Sequence, residues 1–70
     1  MNWEKLKETA KEMGAEISTI AKEKIVFRNL VFFADGTISQ VYDSKYDMFG
    51  SAFAQGRTPA QMLAIMKAIN

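Results

Sequence analysis

The densest apolar stretch of the chain runs from Ile25 to Tyr42, IVFRNLVFFADGTISQVY, and β-branched and aromatic residues crowd both sides of Asp35-Gly36. That dipeptide between apolar runs predicts a β-hairpin, because a tight I′ turn needs positive φ at both central residues. A two-residue loop sets the register. Phe33 then lies opposite Ile38, Val31 opposite Gln40, Leu30 opposite Val41, Asn29 opposite Tyr42, and Arg28 opposite Asp43, an exposed pair of opposite charge. Side chains alternate across a strand, so the hairpin has two faces. One carries Ile25, Phe27, Val31, Phe33, Ile38 and Tyr42 and is expected to lie under helices. The other carries Val26, Leu30, Phe32 and Val41 among Arg28, Thr37, Ser39 and Asp43. A half-covered antiparallel sheet should alternate cleanly between apolar and polar. Leu30-Val31-Phe32-Phe33 puts apolar groups on both faces instead, so the second face is expected to need a cover. Val26, Leu30, Phe32 and Val41 are therefore the candidate interface. A bulge near Arg28-Asn29 would reshuffle this assignment.

Flanking patterns are helical. Trp3, Leu6, Ala10 and Met13 recur at helical spacing behind Asn2, a good N-cap, and predict an amphipathic helix over residues 3–13. Glu4–Lys7 and Glu8–Lys11 are i,i+3 neighbours of opposite sign. Gly14 suits the left-handed position that closes a helix. Beyond it two readings compete. The apolar positions 3, 6, 10, 13, 17 and 20 would carry the helix on to Ala21, at a cost of about 1 kcal/mol for Gly14. Alternatively Glu16–Ala21 is a strand and Lys22-Glu23-Lys24 a turn. β-branched Ile17, Thr19 and Ile20 favour the strand, while the opposite parity of Ile17 and Ile20 weakens it. A lone hairpin is marginal and wants a third strand, so the strand is adopted.

After Tyr42, Ser44 and Asp47 have capping-box spacing, and Tyr46, Phe49 and Phe53 share a helical face. This predicts a second helix over residues 45–55, weakened by Gly50 and stopped by Gln55-Gly56. Thr58-Pro59-Ala60-Gln61 then opens a last helix to about Ile69: Thr caps, Pro sits at N1, and Gln61 at N3 reaches back. The expected fold is α+β in the order α-β-β-β-α-α. A three-stranded antiparallel meander with the 25–42 hairpin central carries an N-terminal helix and a C-terminal helical hairpin, in one compact domain over residues 1–70.

Composition narrows the chemistry. Apolar residues make up 49% of a 70-residue chain with no Cys and no His. So short a chain buries only about 60% of the surface its unfolded form exposes, and this apolar content is generous for a lone domain. It points to a homo-oligomer or a larger protein partner. Without Cys or His, the commonest zinc ligands and the usual general base are missing. Nine basic and eight acidic residues balance to +1, which gives no broad attraction to nucleic acid or anionic lipid. The start MNWEKLKETAKE lacks the apolar core of a signal peptide, and no apolar run approaches the ~20 residues of a membrane span. A cytoplasmic protein with no membrane association, no cofactor, no metal and no catalytic residues is expected.

The candidate chemistry is correspondingly thin. Asp43 and Asp47 form a possible carboxylate pair but read more simply as a cap and a cross-strand partner. Residues 45–55 and 59–69 around Gly56-Arg57-Thr58 have helix-turn-helix spacing, yet the second helix is AQMLAIMKAI and offers few polar groups to base edges. Met48, Met62 and Met66 suit an irregular core, or a seam between copies. Lys22, Lys24, Arg28 and Arg57 beside exposed aromatics could contact single-stranded nucleic acid. The function expected from these features is a small non-catalytic interaction module, a regulator or inhibitor that docks on itself or on a larger protein. The alternative is a nucleic-acid-binding accessory protein that uses those four cations.

Overall fold

The computed structural model describes residues 1–43 and 48–70, with residues 41–43 and 48–53 as strand backbone alone. Its elements are α1 (Trp3–Glu12), β1 (Glu16–Ser18), β2 (Lys24–Phe27), β3 (Leu30–Phe33), β4 (Ile38–Asp43), β5 (Met48–Ala54) and α2 (Pro59–Ile69). The strands form one antiparallel sheet in the sequential order β1-β2-β3-β4-β5. The architecture is thus α+β: an N-terminal helix, an antiparallel meander and a C-terminal helix.

Both helices start, and α1 also stops, where local chemistry directs. Asn2 accepts the Lys5 N–H at 2.8 Å and caps α1. At its other end the Ala15 N–H donates to Ala10 O and the Gly14 N–H to Lys11 O, at 2.9 and 3.0 Å. With Gly14 at φ +93°, this is a Schellman closure. The α2 capping box is complete: Thr58 Oγ1 accepts from Gln61 N–H at 3.2 Å, and Gln61 Oε1 accepts from Thr58 N–H at 2.9 Å. Of the i,i+3 pairs, Lys7–Glu4 closes at 2.9 Å, while Glu8 meets Lys5 at 3.9 Å.

Residues 16–18, not 16–21, form the first strand. Two further expectations are overturned. The first is the second helix. Residues 48–54, MFGSAFA, are a strand paired with β4, so among the described residues there is neither a helical hairpin nor a helix-turn-helix. Ala52 and Ala54 favour a helix, but Gly50 disfavours one and Phe49 and Phe53 suit a strand equally well, so local preference is divided and pairing with β4 decides the outcome. The Ser44–Asp47 cap lies outside the described residues.

The second correction concerns the faces of the hairpin. Arg28-Asn29 is a two-residue turn rather than the middle of a strand, and Phe27 pairs with Leu30 across it. The loop at Asp35-Gly36 is also one residue longer than a I′ turn. The Phe33 N–H donates to Thr37 O at 2.9 Å, closing a three-residue loop of Ala34, Asp35 and Gly36. Gly36 has φ +96°, as in hairpins where a type I turn is followed by a left-handed residue. Phe32, not Phe33, therefore opposes Ile38, and Leu30 opposes Gln40. The register moves by one residue, and a one-residue move exchanges the faces.

Consequently the helix-covered face is Ile25, Phe27, Leu30, Phe32 and Ile38, packed with Leu6 and Ala10 of α1 and with Met62 and Met66 of α2. Phe32, Ile25, Ile38, Leu6 and Met66 have no exposed surface. The two described methionines of the expected seam, Met62 and Met66, are core residues. Val31 and Phe33, expected under the helices, are also buried, but they stand on the other face with Lys24, Val26 and Ser39. The reading that residues 30–33 are apolar on both faces holds; only the sides are exchanged.

Arg28 adopts φ +58° in its turn, a conformation that costs an L-residue with a Cβ roughly 1–2 kcal/mol and glycine almost nothing. Arg28→Gly is expected to stabilise the fold by about 0.5–1 kcal/mol after the extra chain entropy of glycine is subtracted. Thermal unfolding should register this as a rise of about 3–6 °C.

Candidate functional site

Of the four residues expected at an interface, Leu30 and Phe32 are enclosed by the molecule's own helices and cannot meet a partner in the folded chain. Val26 is half-buried and lines an open cleft. Val41 is described as backbone alone. The four do not make one surface.

Neither do the four cations. Lys24 is almost wholly buried, and its Nζ donates to Ile20 O at 2.6 Å and Lys22 O at 3.3 Å. Lys22 Nζ stands 4.5 Å above the Phe33 ring and 3.8 Å from Asp35. Arg28 lies past the opposite end of β2, over the ring of Phe27 at 5.6 Å. Arg57 sits in the loop before α2, where its N–H donates to Gly36 O at 3.0 Å. A backbone-tracking groove needs cations in a row; here one is buried and the others are divided between the two ends of the sheet.

Polar side chains instead tie α1 to the β1–β2 loop. Glu23 Oε1 accepts from Trp3 Nε1 at 2.5 Å and from Lys7 Nζ at 2.9 Å, and Lys7 also reaches Glu4 at 2.9 Å. The Lys7 ammonium, and after it the Trp3 N–H, hold the Glu23 carboxyl below its ordinary value. Glu4, and after it Glu23, hold the Lys7 ammonium above its own. A carboxyl with a depressed folded pKa contributes stability above its unfolded pKa and loses it as pH falls through the folded value. A raised ammonium contributes below its unfolded pKa and loses it as pH climbs through the raised value. The clasp therefore acts across neutral pH and opens at both extremes. Its acid limb should begin below the ordinary glutamate value of 4.5. Glu23→Gln is expected to lower stability at pH 7 and to flatten that limb in urea titrations run from pH 7 down to 3. An unchanged acid limb would show that Glu23 is not the group responsible.

Asp35 is likewise held low, first by the Thr37 side chain and after it by the Thr37 N–H, which it accepts at 3.0 Å. Its role is to fix the turn. Among the described residues no group of three or more acidic residues is placed to hold a metal, and no buried side-chain nitrogen or oxygen lacks a partner. No helix is long and apolar enough to cross a membrane among them.

What remains open is at the margins of the sheet. Among the described residues, β1 and β5 each have a neighbour strand on one side only. β1 is three residues long, whereas β5 has seven and contains neither a charged residue nor a proline. A cleft of about 410 Å³ opens at one end of β1, lined by Met13, Gly14, Glu16, Val26, Phe27 and Arg28. At the other end Ile20 is 68% exposed. Sequence reading missed both margins. One signal was present: the parity conflict between Ile17 and Ile20 means that Ile20 has left the strand. No protein-family model matches the chain, and no curated protein or solved structure matches it significantly.

Proposed function

We propose that this chain is a small non-catalytic interaction module that docks on protein by accepting an extended strand at its β5 edge. The observation that supports this is the character of that edge. An edge strand presents a row of unpaired backbone donors and acceptors, and proteins that avoid pairing shorten such strands or place lysine, proline or other charged groups on them. β1 is short. β5, the longest strand of the sheet, carries the sequence MFGSAFA with none of those charges or prolines. Strand addition draws affinity from main-chain hydrogen bonds and specificity from alternate side chains, so it needs no pocket, metal or cofactor.

A peptide containing Met48–Ala54, flanked by lysines for solubility, is a strand surrogate. Saturable binding to the full chain is expected, with none for the same peptide carrying proline at the position of Ala52, since proline cannot donate to a ladder. No binding by the unmodified peptide up to its solubility limit would overturn the proposal.

A further inference from the structure

We propose that the cleft between the end of α1 and the β2–β3 turn binds a small zwitterion, a free α-amino acid with an apolar side chain, whose carboxylate meets Arg28 and whose ammonium meets Glu16. The cleft lies at the β1 margin, away from β5, and the inference does not depend on the strand-docking reading.

Two side chains of opposite charge, Glu16 and Arg28, line the same space of about 410 Å³ without neutralising each other. Among the described residues neither takes part in an ion pair. Arg28 lies over the Phe27 ring at 5.6 Å. That contact engages no oxygen, and the N–H donors of the guanidinium meet no acceptor among the described residues. A guanidinium placed on an aromatic ring with its N–H fork unused is suited to a bidentate grip on a carboxylate.

The two walls of the cleft differ in polarity. α1 ends at Glu12, and Met13 and Gly14 form the wall on that side. The negative end of the helix dipole lies there, and the Glu16 carboxylate adds to it. Register puts Arg28 on the other side: Glu16 pairs with Val26, and Arg28 follows two residues further along the same chain. An ammonium is therefore favoured at one wall and a carboxylate at the other. Between them Met13, Val26 and Phe27 offer apolar surface to a side chain. Gly14 leaves the floor bare, with nothing within 4 Å of the place a Cβ would take.

The backbone supplies an independent observation. Arg28, at φ +58°, is the first residue of its two-residue turn, and Asn29 after it is not at positive φ. A turn of that kind gives its first position to glycine. Arginine there is held against its own preference, and residues held in this way gather at ligand-binding sites. Glycine would relax the turn and remove the one cation that lines the cleft.

The test is a titration of the isotope-labelled full chain with L-leucine, followed by amide chemical shifts. Saturable shifts centred on residues 13–16 and 26–28 are expected at millimolar leucine. Isoamylamine, which lacks the carboxylate, and isocaproate, which lacks the ammonium, should each bind about 10-fold or more weakly, the size of one charge-assisted hydrogen bond. Arg28→Gln and Glu16→Gln should each weaken leucine binding by the same factor. Arg28→Gly should raise the thermal midpoint and still weaken binding, a split that a purely structural arginine does not give. No saturable shift at tens of millimolar leucine overturns the inference. So does an amine or an acid that binds as well as leucine, or an Arg28→Gln variant that binds like the unmodified chain.

Discussion

Phe32→Ala is expected to cost about 3–5 kcal/mol, the usual effect of emptying a buried phenylalanine site. Phe32 has no exposed surface and sits between β2 and β4 under both helices. A 70-residue domain has a total stability of only about 4–10 kcal/mol, so the variant should be partly or wholly unfolded at 25 °C. Phe32→Asp should not fold at all, since an unpaired carboxylate would be enclosed there. Urea denaturation followed by tryptophan fluorescence reads the first, and the far-ultraviolet spectrum reads the second. A Phe32→Asp chain that folds and merely changes its oligomeric state would mean that this ring faces a partner rather than the helices.

Gly36→Ala is the second large effect. Two independent costs meet at this position. The residue sits at φ +96°, and a Cβ placed there would lie 3.1 Å from both the N and the O of Arg57. The backbone conformation alone costs roughly 1–2 kcal/mol, and forcing apart two backbone segments adds about 1–2 more, within the usual range for overpacking. A loss of about 2–4 kcal/mol is expected. Gly14→Ala is the control, since it shares the positive φ but meets nothing within 4 Å, and it should lose about 1–2 kcal/mol. The difference between the two, measured by denaturant unfolding, isolates the contact of the β3–β4 loop with the loop before α2. Equal losses would show that contact to be without weight.

These residues also mark where the chain could be read and where it could not. Local chemistry was legible: the Asn2 cap, the Gly14 closure, the Thr58–Gln61 box and a turn at Asp35-Gly36 all follow from neighbours within a few residues. The faces of the hairpin were not. They depend on two loop lengths that local sequence leaves nearly degenerate. Asp35-Gly36 serves a two-residue loop and a three-residue one equally well. What separates them here is the capture of Asp35 by the Thr37 N–H and the bond from the Arg57 N–H to the Gly36 carbonyl, the latter a contact twenty-one residues distant in sequence. Arg28-Asn29 lacks the glycine that would have announced a turn. β5 was misread for the related reason that Phe49 and Phe53 keep helical spacing while the segment's conformation is set by pairing with β4. The expected interface failed with the faces, because Leu30 and Phe32 changed sides.

Amide hydrogen exchange over residues 48–54 tests the central claim, that the sheet extends to a fifth strand whose outer edge is open. Slow and fast amides should be interspersed along the segment, slow where the N–H meets β4 and fast where it points outward, and the strand peptide should slow the fast ones. Consecutive slow amides, as a helix gives, or uniformly slow exchange before any peptide is added, would contradict it.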